Sequence, residues 1–324
     1  MKKKLIGIGN ALVDALFLVE NDAFLAELDL PKGSMQLIDT ERYRQLCERM
    51  RGEKIKRATG GSTGNVVLAL ANLNAAPGFI GKVSDDENGR FFADNCRKRG
   101  IAACLLEDDS PTGVASTFIT PDGQRTFATY LGAASRLVAD DLRKDWFEGY
   151  DYFFIEGYLV QNHDLIERAV EMARAAGLKV CLDLASYNIV ESDRDFFAYL
   201  LEQTDIVFAN AEEARAFTGK EPAEALDELA ACCQLAVVKT GKEGAMARCG
   251  EDVASCAAMD VPQVVDTTAA GDFFAAGFLY AHALGRPLEA CLQAGCLLSG
   301  HVIQVVGSEL PESIWQTLRQ QLAE

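Results

Sequence analysis

The sequence predicts an α/β fold: a three-layer α/β/α core around a mainly parallel sheet, with a small β lid inserted into it. Three observations carry that expectation. Short β-rich runs alternate with longer helical patterns through most of the chain, the rhythm of a sheet wound with helices on both faces. Two regions, 13–39 and 112–130, break the rhythm. No low-complexity linker, repeat or long charge run sets them apart, so the 324 residues are expected to form one domain with the lid inserted.

The elements follow in order. KKLIGIG reads as the first strand, TGNVVLALANLNAA as a helix, GFIGKV as a strand and ENGRFFADNCRKRG as a helix. The later part repeats the pattern with YDYFFIEG, HDLIERAVEMARAAG, LKVCLDL, DIVFAN and LAVVKTG. Residues 13–39 hold short apolar stretches around Pro31 and Gly33. In TGVASTFITPDGQRTFATY apolar and polar residues alternate about Pro121-Asp122-Gly123, which is hairpin chemistry.

Composition narrows the function. A 49% apolar chain of this length buries a core without staples. Ten cysteines without a CxxC pair, and only three histidines, argue against a zinc site or a disulfide framework. Cys232, Cys233, Cys291 and Cys296 are expected to be buried small hydrophobes in a reducing, cytoplasmic compartment. A formal charge of −17 with no basic stripe repels nucleic acid. MKKKLIGIGNALVDALFLV imitates a signal peptide, but Asn10 and Asp14 interrupt the apolar run and no cleavage site follows. No other stretch approaches membrane-spanning length, so no membrane partner is expected.

Four short motifs end strands or open helices. GIGNALVD, residues 7–14, lacks the third glycine of a dinucleotide fingerprint, since Leu12 stands there. It reads either as a plain strand-end turn or as a device that points Asn10 and Asp14 into the ligand crevice at a parallel strand's carboxyl end, where a carboxylate can accept from vicinal hydroxyls. GGSTGN, residues 60–65, has no lysine after its glycines and is no Walker loop; it starts a helix at Ser62 or Thr63 and puts Asn65 in the first turn. NAEEA, residues 210–214, is either an N-cap with acidic residues favourable to the helix dipole, or a pair, Asn210 and Glu213, that positions magnesium-bound water near phosphates. VVKTGKEGA offers Thr240 and Gly241 to a nucleotide or to a turn.

VVDTTAAGD is where these pieces converge. A helix beginning near Gly271 presents the amides of Ala269, Ala270 and Gly271 to an anion at its positive end. A carboxylate beside a bound phosphate is repelled, so Asp272 makes sense chiefly when a hydroxyl lies between them. That is the arrangement for phosphoryl transfer to an alcohol. The alternative is a helix cap. The helix terminus is expected to keep Asp272 ionised, a weak base always ready.

At this point the chain resembles the ribokinase-like (PfkB-type) sugar and nucleoside kinases, over nearly its whole length and in order. GGSTGN matches the family's first signature, NAEE its asparagine-x-x-glutamate motif, and DTTAAGD its aspartate-threonine-x-glycine-alanine-glycine-aspartate motif, departing at Ala269 from the commoner glycine. The resemblance implies ATP and Mg2+, Asp272 as base, and an anion hole from Ala269, Ala270 and Gly271. It further implies that Asn210 and Glu213 organise metal through water, and that Asn10, Asp14, Gly61 and Asn65 hold the acceptor. Thr240 and Gly241 would then flank the nucleotide. Arg136, in LGAASRL, falls where adenosine kinases carry an arginine that meets the phosphates. A monovalent cation such as K+ is an optional further cofactor.

GIGNALVD with GGSTGN looks most like the adenosine kinase branch. Such kinases stack the base on an aromatic after a strand; Tyr158 in FFIEGYL stands in that place, or is a core aromatic. The expected function is therefore transfer of the γ-phosphate of ATP to a primary hydroxyl of a nucleoside or related sugar, by a monomer or homodimer. The rivals are a free-sugar kinase and a silent nucleotide sensor on the same fold.

Overall fold

The computed structural model describes residues 4–121 and 124–323. Residues 1–3, which open the signal-like run, and Asp122 and Gly123 of the expected turn lie outside the described residues. The strands are β1 (Leu5–Ile8), β2 (Leu12–Leu18), β3 (Met35–Leu37), β4 (Lys56–Gly60), β5 (Gly78–Val83), β6 (Ala102–Glu107), β7 (Gly113–Ile119), β8 (Arg125–Tyr130), β9 (Tyr152–Glu156), β10 (Lys179–Asp183), β11 (Ile206–Asn210), β12 (Leu235–Lys239), β13 (Ala245–Cys249) and β14 (Asp252–Cys256). The helices are α1 (Asp22–Glu27), α2 (Thr40–Arg49), α3 (Ser62–Asn72), α4 (Glu87–Lys98), α5 (His163–Ala175), α6 (Tyr187–Ser192), α7 (Arg194–Glu202), α8 (Ala211–Thr218), α9 (Pro222–Cys232), α10 (Ala270–Ala283), α11 (Leu288–Val302) and α12 (Glu312–Ala323).

The core sheet has the order β14-β13-β12-β11-β10-β9-β1-β5-β6 and is parallel from β12 to β6, with β13 and β14 antiparallel at one edge. Its central strands read as unbroken apolar runs, YFFIE for β9 and LAVVK for β12, because helices cover both faces. One apolar layer joins the sheet to α3, α4, α10, α11 and α12. A second joins the opposite face to α5 and the helices from α6 to α9. Helices α3 and α10 are apolar nearly all round, as helices buried on every side must be. The expected α/β/α core with a mainly parallel sheet is present.

A second sheet, β3-β8-β7-β2-β4, stands apart from the first. The segment around residues 112–130 forms an antiparallel hairpin, with Ala115 opposite Thr129 and Thr117 opposite Phe127. The sheet is wider than the two segments that break the sequence rhythm, because β4 pairs antiparallel with β2. Period-two alternation gives it two different faces. Phe17, Val114, Phe118 and Ala128 pack outward under α1 and α2, whereas Leu16, Asp14, Ala115, Thr117 and Phe127 face a cavity against the core.

All ten cysteines are free thiols. Cys291 and Cys296 are buried as expected, but Cys232 and Cys233 are only half-buried, since α9 ends there at the edge of its packing. Among the described residues no helix is long and apolar enough to cross a membrane.

Candidate active site

A cavity of about 1410 Å³ lies between the two sheets. Its floor is built from the carboxyl ends of four neighbouring parallel strands, β9 to β12, which finish in Glu156, Asp183, Asn210 and Lys239. Crevices form outside strand ends at a topological switch point, here between β1 and β9, where α3 packs on one face of the sheet and α5 on the other. The first turns of α3 and α10 close one side and the inner face of the second sheet forms the roof.

Helix α10 starts at Ala270, with Ala269 before it in the left-handed region at φ 62°. The Ala270 N–H donates to the Thr267 carbonyl at 3.2 Å, closing a tight turn. One of the three amides expected to face an anion is therefore occupied. Those of Ala269 and Gly271 find no acceptor among the described residues, and both residues line the cavity. Two residues into the helix, Asp272 is gripped from α3. Ser62 Oγ donates to Oδ1 at 2.7 Å and Asn65 Nδ2 to Oδ2 at 2.8 Å. Burial lifts Asp272 from the usual carboxylate range to about 7; Ser62 and Asn65 oppose the shift, and the Asp183 charge adds to it. The expectation of a permanently ionised Asp272 is thus corrected. A helix terminus carries roughly half a charge, too little against loss of water and a second carboxylate.

The α3 terminus comes this close because of its glycines. Gly61 sits at φ +82°, and a Cβ there would run into the Asn10 carbonyl. A Cβ on Gly60 would strike the Asp14 carboxylate, and one on Gly9 would strike Glu156 and Thr63. The glycines of GIGN therefore let the first turn of α3 settle on β1, a packing need and not a pyrophosphate site. Buried Glu156 ties this corner together: Asn10 N and Nδ2 donate to Oε1 at 2.9 and 2.6 Å, and Thr63 N to Oε2 at 2.8 Å. Only Asn10 Oδ1 is left for a ligand. Asp14 lies in β2 of the second sheet and not at a core strand's end; burial, then the Asp272 charge, raises it to about 7. Asn65 Oδ1 is buried without any partner among the described residues. Tyr158 lines the cavity just after β9, 41% exposed.

At the other end, Asn210 and Glu213 form a capping box on α8. Asn210 N and Nδ2 donate to Glu213 at 2.7 and 2.6 Å, and Glu213 N donates to Asn210 Oδ1 at 2.8 Å. Burial raises Glu213 to about 7. Lys239 Nζ meets Asp183 Oδ2 at 2.9 Å. The described residues hold no cluster of three or more acidic, histidine or cysteine ligands fit to cage a metal. The donors present, the carboxylate oxygens of Glu213 beside Asn210, suit a metal that keeps most of its waters, as Mg2+ does.

The chain matches the pfkB family carbohydrate kinases across residues 33–315. It belongs to that family. It is a phosphotransferase with an alcohol acceptor, a nucleoside or sugar kinase of the adenosine kinase-like branch, and kinases of this family use ATP. Its fold superposes on adenosine kinase from Sinorhizobium meliloti with a TM-score of 0.88 and 36% identity, over 99% of this chain and 100% of the other. A probable sugar kinase from Rhizobium etli gives 0.88 and 34% over 99% and 98%. Adenosine kinase 2 of Arabidopsis thaliana is 26% identical over 95% of this chain and 96% of its own.

Two of the expected site residues lie outside the cavity lining. Arg136 does not reach the cavity: it is 62% exposed, pairs with Asp108 at 3.3 Å and lines a separate recess of about 290 Å³. Arg125, at the start of β8, lines the cavity instead, in a buried ion pair with Asp266. The hairpin alternation carries the reason, since Arg125 shares the inward face with Phe127 and Thr129. Thr240 does not line the cavity and its N–H closes a turn on the Gly244 carbonyl at 2.8 Å, the second of its two readings, while Gly241 does line the cavity. Sequence reading missed Ser62, Glu156, Asp183, Lys239, Arg125 and Asp266.

Proposed function

We propose that this kinase transfers the γ-phosphate of ATP, with Mg2+, to the primary hydroxyl of a nucleoside resembling adenosine. The observation that carries the acceptor assignment is the roof of the cavity. Leu16, Met35, Leu37 and Phe127 face inward from the second sheet, and Met35 and Leu37 are 58% and 66% exposed in a lined cavity. Asp14, on the same face of β2, and Asn65 and Asp272, in the first turns of α3 and α10, line the same cavity. An acceptor that satisfies both needs an apolar planar part above and hydroxyls below, which a nucleoside has and a free sugar lacks.

In this reading Asp14, Asn10 Oδ1 and the unpartnered Asn65 Oδ1 accept from ribose hydroxyls, Gly61 lets the sugar approach the backbone, and Tyr158 flanks the base. Asp272 takes the proton as the acceptor oxygen attacks the γ-phosphorus and the bond to the β-phosphate breaks. The free amides of Ala269 and Gly271 hold the transferring group, and Arg125 stands between roof and floor for the remaining phosphate charge. Asn210 and Glu213 would hold Mg2+ through its waters, and the metal would supply charge neutralisation at the phosphates. Gly241 borders the nucleotide. The second sheet acts as a lid that keeps water from competing for the phosphoryl group.

The free-sugar reading is supported by the sugar kinase names among the relatives, the probable sugar kinase from Rhizobium etli included, and by the carbohydrate kinase family itself. An acceptor panel with ATP and Mg2+ decides. Adenosine is expected to exceed ribose and fructose by about a hundredfold or more in kcat/KM, since the apolar contact of a base is of the order of 3 kcal/mol. Equal or better turnover of a free sugar overturns the assignment.

A further inference from the structure

Lys239 ends β12 on the cavity floor, and the reaction outlined above makes no use of it. The cavity is acidic: Asp14, Asp183, Glu213 and Asp272 all line it, where a triphosphate has to bind. Three cationic side chains among the described residues line it too, Arg125, Lys239 and Lys242. Arg125 hangs from the lid and is held by Asp266; Lys242 lies in the exposed turn after β12. Lys239 is the cation at the start of α10. A Cβ built on Gly271 would sit 3.1 Å from Lys239 Nζ, the one atom of another element among the described residues within 4 Å of that point. The ammonium therefore stands beside the residue whose N–H is free, in the approach to Asp272, with its side chain 13% exposed.

We infer that Lys239 contacts the transferring γ-phosphoryl group, acting with the amides of Ala269 and Gly271 as the fixed cation of the site. This deepens the kinase reading and rests on it. As the acceptor oxygen bonds to the γ-phosphorus, its proton passes to Asp272, the β–γ bridging bond breaks, and that electron pair stays on ADP. Lys239 keeps its proton throughout and donates N–H bonds to the γ-phosphoryl oxygens. A preorganised cation in a dry site is worth most where charge moves. Asp183 holds the side chain extended over Gly271 when no phosphate is bound, and Lys, a compact point charge with three donors, can keep that contact while adding another.

The competing role is purely structural, a counter-ion for buried Asp183. A double-mutant comparison separates the two. Lys239→Met should lower kcat by about a hundredfold or more, the usual loss for one oxyanion-type donor. If Lys239 serves only Asp183, Asp183→Asn with Lys239→Met restores a neutral pair and recovers turnover. If it acts on phosphate, the double variant stays at or below the rate of Lys239→Met. Because it buries no unpaired charge, the double variant also tests the idea should Lys239→Met fold poorly. Calorimetry adds a readout independent of turnover: Lys239→Met should weaken a non-hydrolysable ATP analogue about tenfold while ADP binding changes little. Recovery in the double variant, near-normal turnover of Lys239→Met, or equal weakening of analogue and ADP overturns the inference. Absence of acceptor-dependent ATP consumption by the unaltered protein sinks the kinase reading instead, while the binding comparison still tests Lys239 as a contact to the terminal phosphate.

Discussion

The floor and the roof of the same cavity are built by opposite means. On the floor nearly every polar group is already engaged: Asp272 with Ser62 and Asn65, Glu156 with Asn10 and Thr63, Glu213 with Asn210, Lys239 with Asp183. The roof presents aliphatic and aromatic side chains at alternate positions of β2, β3 and β8. A locked polar network fixes one geometry and hence one chemistry. An apolar face fixes only size and shape, so acceptor choice can change without touching the chemistry.

The largest effect that would break this contrast belongs to the floor. Asp272→Asn preserves shape and removes the proton acceptor, and kcat should fall about 10²-fold to 10⁴-fold with ATP and acceptor still binding. Measuring kcat and Tm on one preparation separates this from loss of a helix cap, which would lower stability by about 1 kcal/mol and leave turnover near normal.

Asp14 belongs to the roof by strand and to the floor by chemistry. Asp14→Ala should raise acceptor KM about tenfold to a hundredfold through lost charged hydrogen bonds, with ATP KM nearly unchanged. An equal loss of ATP affinity would put Asp14 on the wrong side of the division.

A pH series sharpens the comparison further. Asp272 and Asp14 both sit at about 7 in the ligand-free protein, burial being the larger cause for each. Below that value each must give up a proton before it can work, so kcat/KM should fall at least tenfold per pH unit and level off above it. Stability runs the other way. Both folded values lie above the unfolded carboxylate range, so their contribution is full below pH 4 and is lost as pH rises through about 7. Ligand-free Tm should therefore drop between pH 5 and 8, and drop less in Asp272→Asn. A Tm difference between the two proteins that stays constant over that range would show that Asp272 does not titrate there.

Legibility in the sequence follows the same division. Helical and strand periods made the three-layer core readable, because parallel strands covered on both faces must be apolar throughout. The motif residues Asp272, Asn65 and Asn210 were readable because caps and glycines mark helix starts. Glu156, Asp183 and Lys239 were not, since a single charge after an apolar run looks like any strand exit. Their signal was positional: each is the last residue of a neighbouring parallel strand, and the register pairs Asp183 with Glu156 and Lys239 with Asn210. Arg136 is marked by its place in the family resemblance, whereas Arg125 is marked only by the inward alternation along β8 that it shares with Phe127 and Thr129.

The smallest expected effect tests whether backbone shape alone builds the phosphate end. Ala269 holds φ 62° and ψ 3°, where an alanine costs about 1 to 2 kcal/mol relative to the right-handed region. Glycine adopts this conformation freely, though it gives back about 0.4 to 1 kcal/mol through the entropy of the unfolded chain. Ala269→Gly should therefore stabilise the protein by roughly 0.5 to 1 kcal/mol, a Tm increase of about 1 °C. The N–H of residue 269 is aimed by the backbone, and the Ala269 methyl donates nothing to the hydrogen-bonded floor, so kcat should stay within about twofold. A variant that gains stability but loses turnover tenfold would mean that the strain itself helps hold the amides in place. A variant that loses stability would remove the strain argument and leave the αL turn unexplained by local sterics.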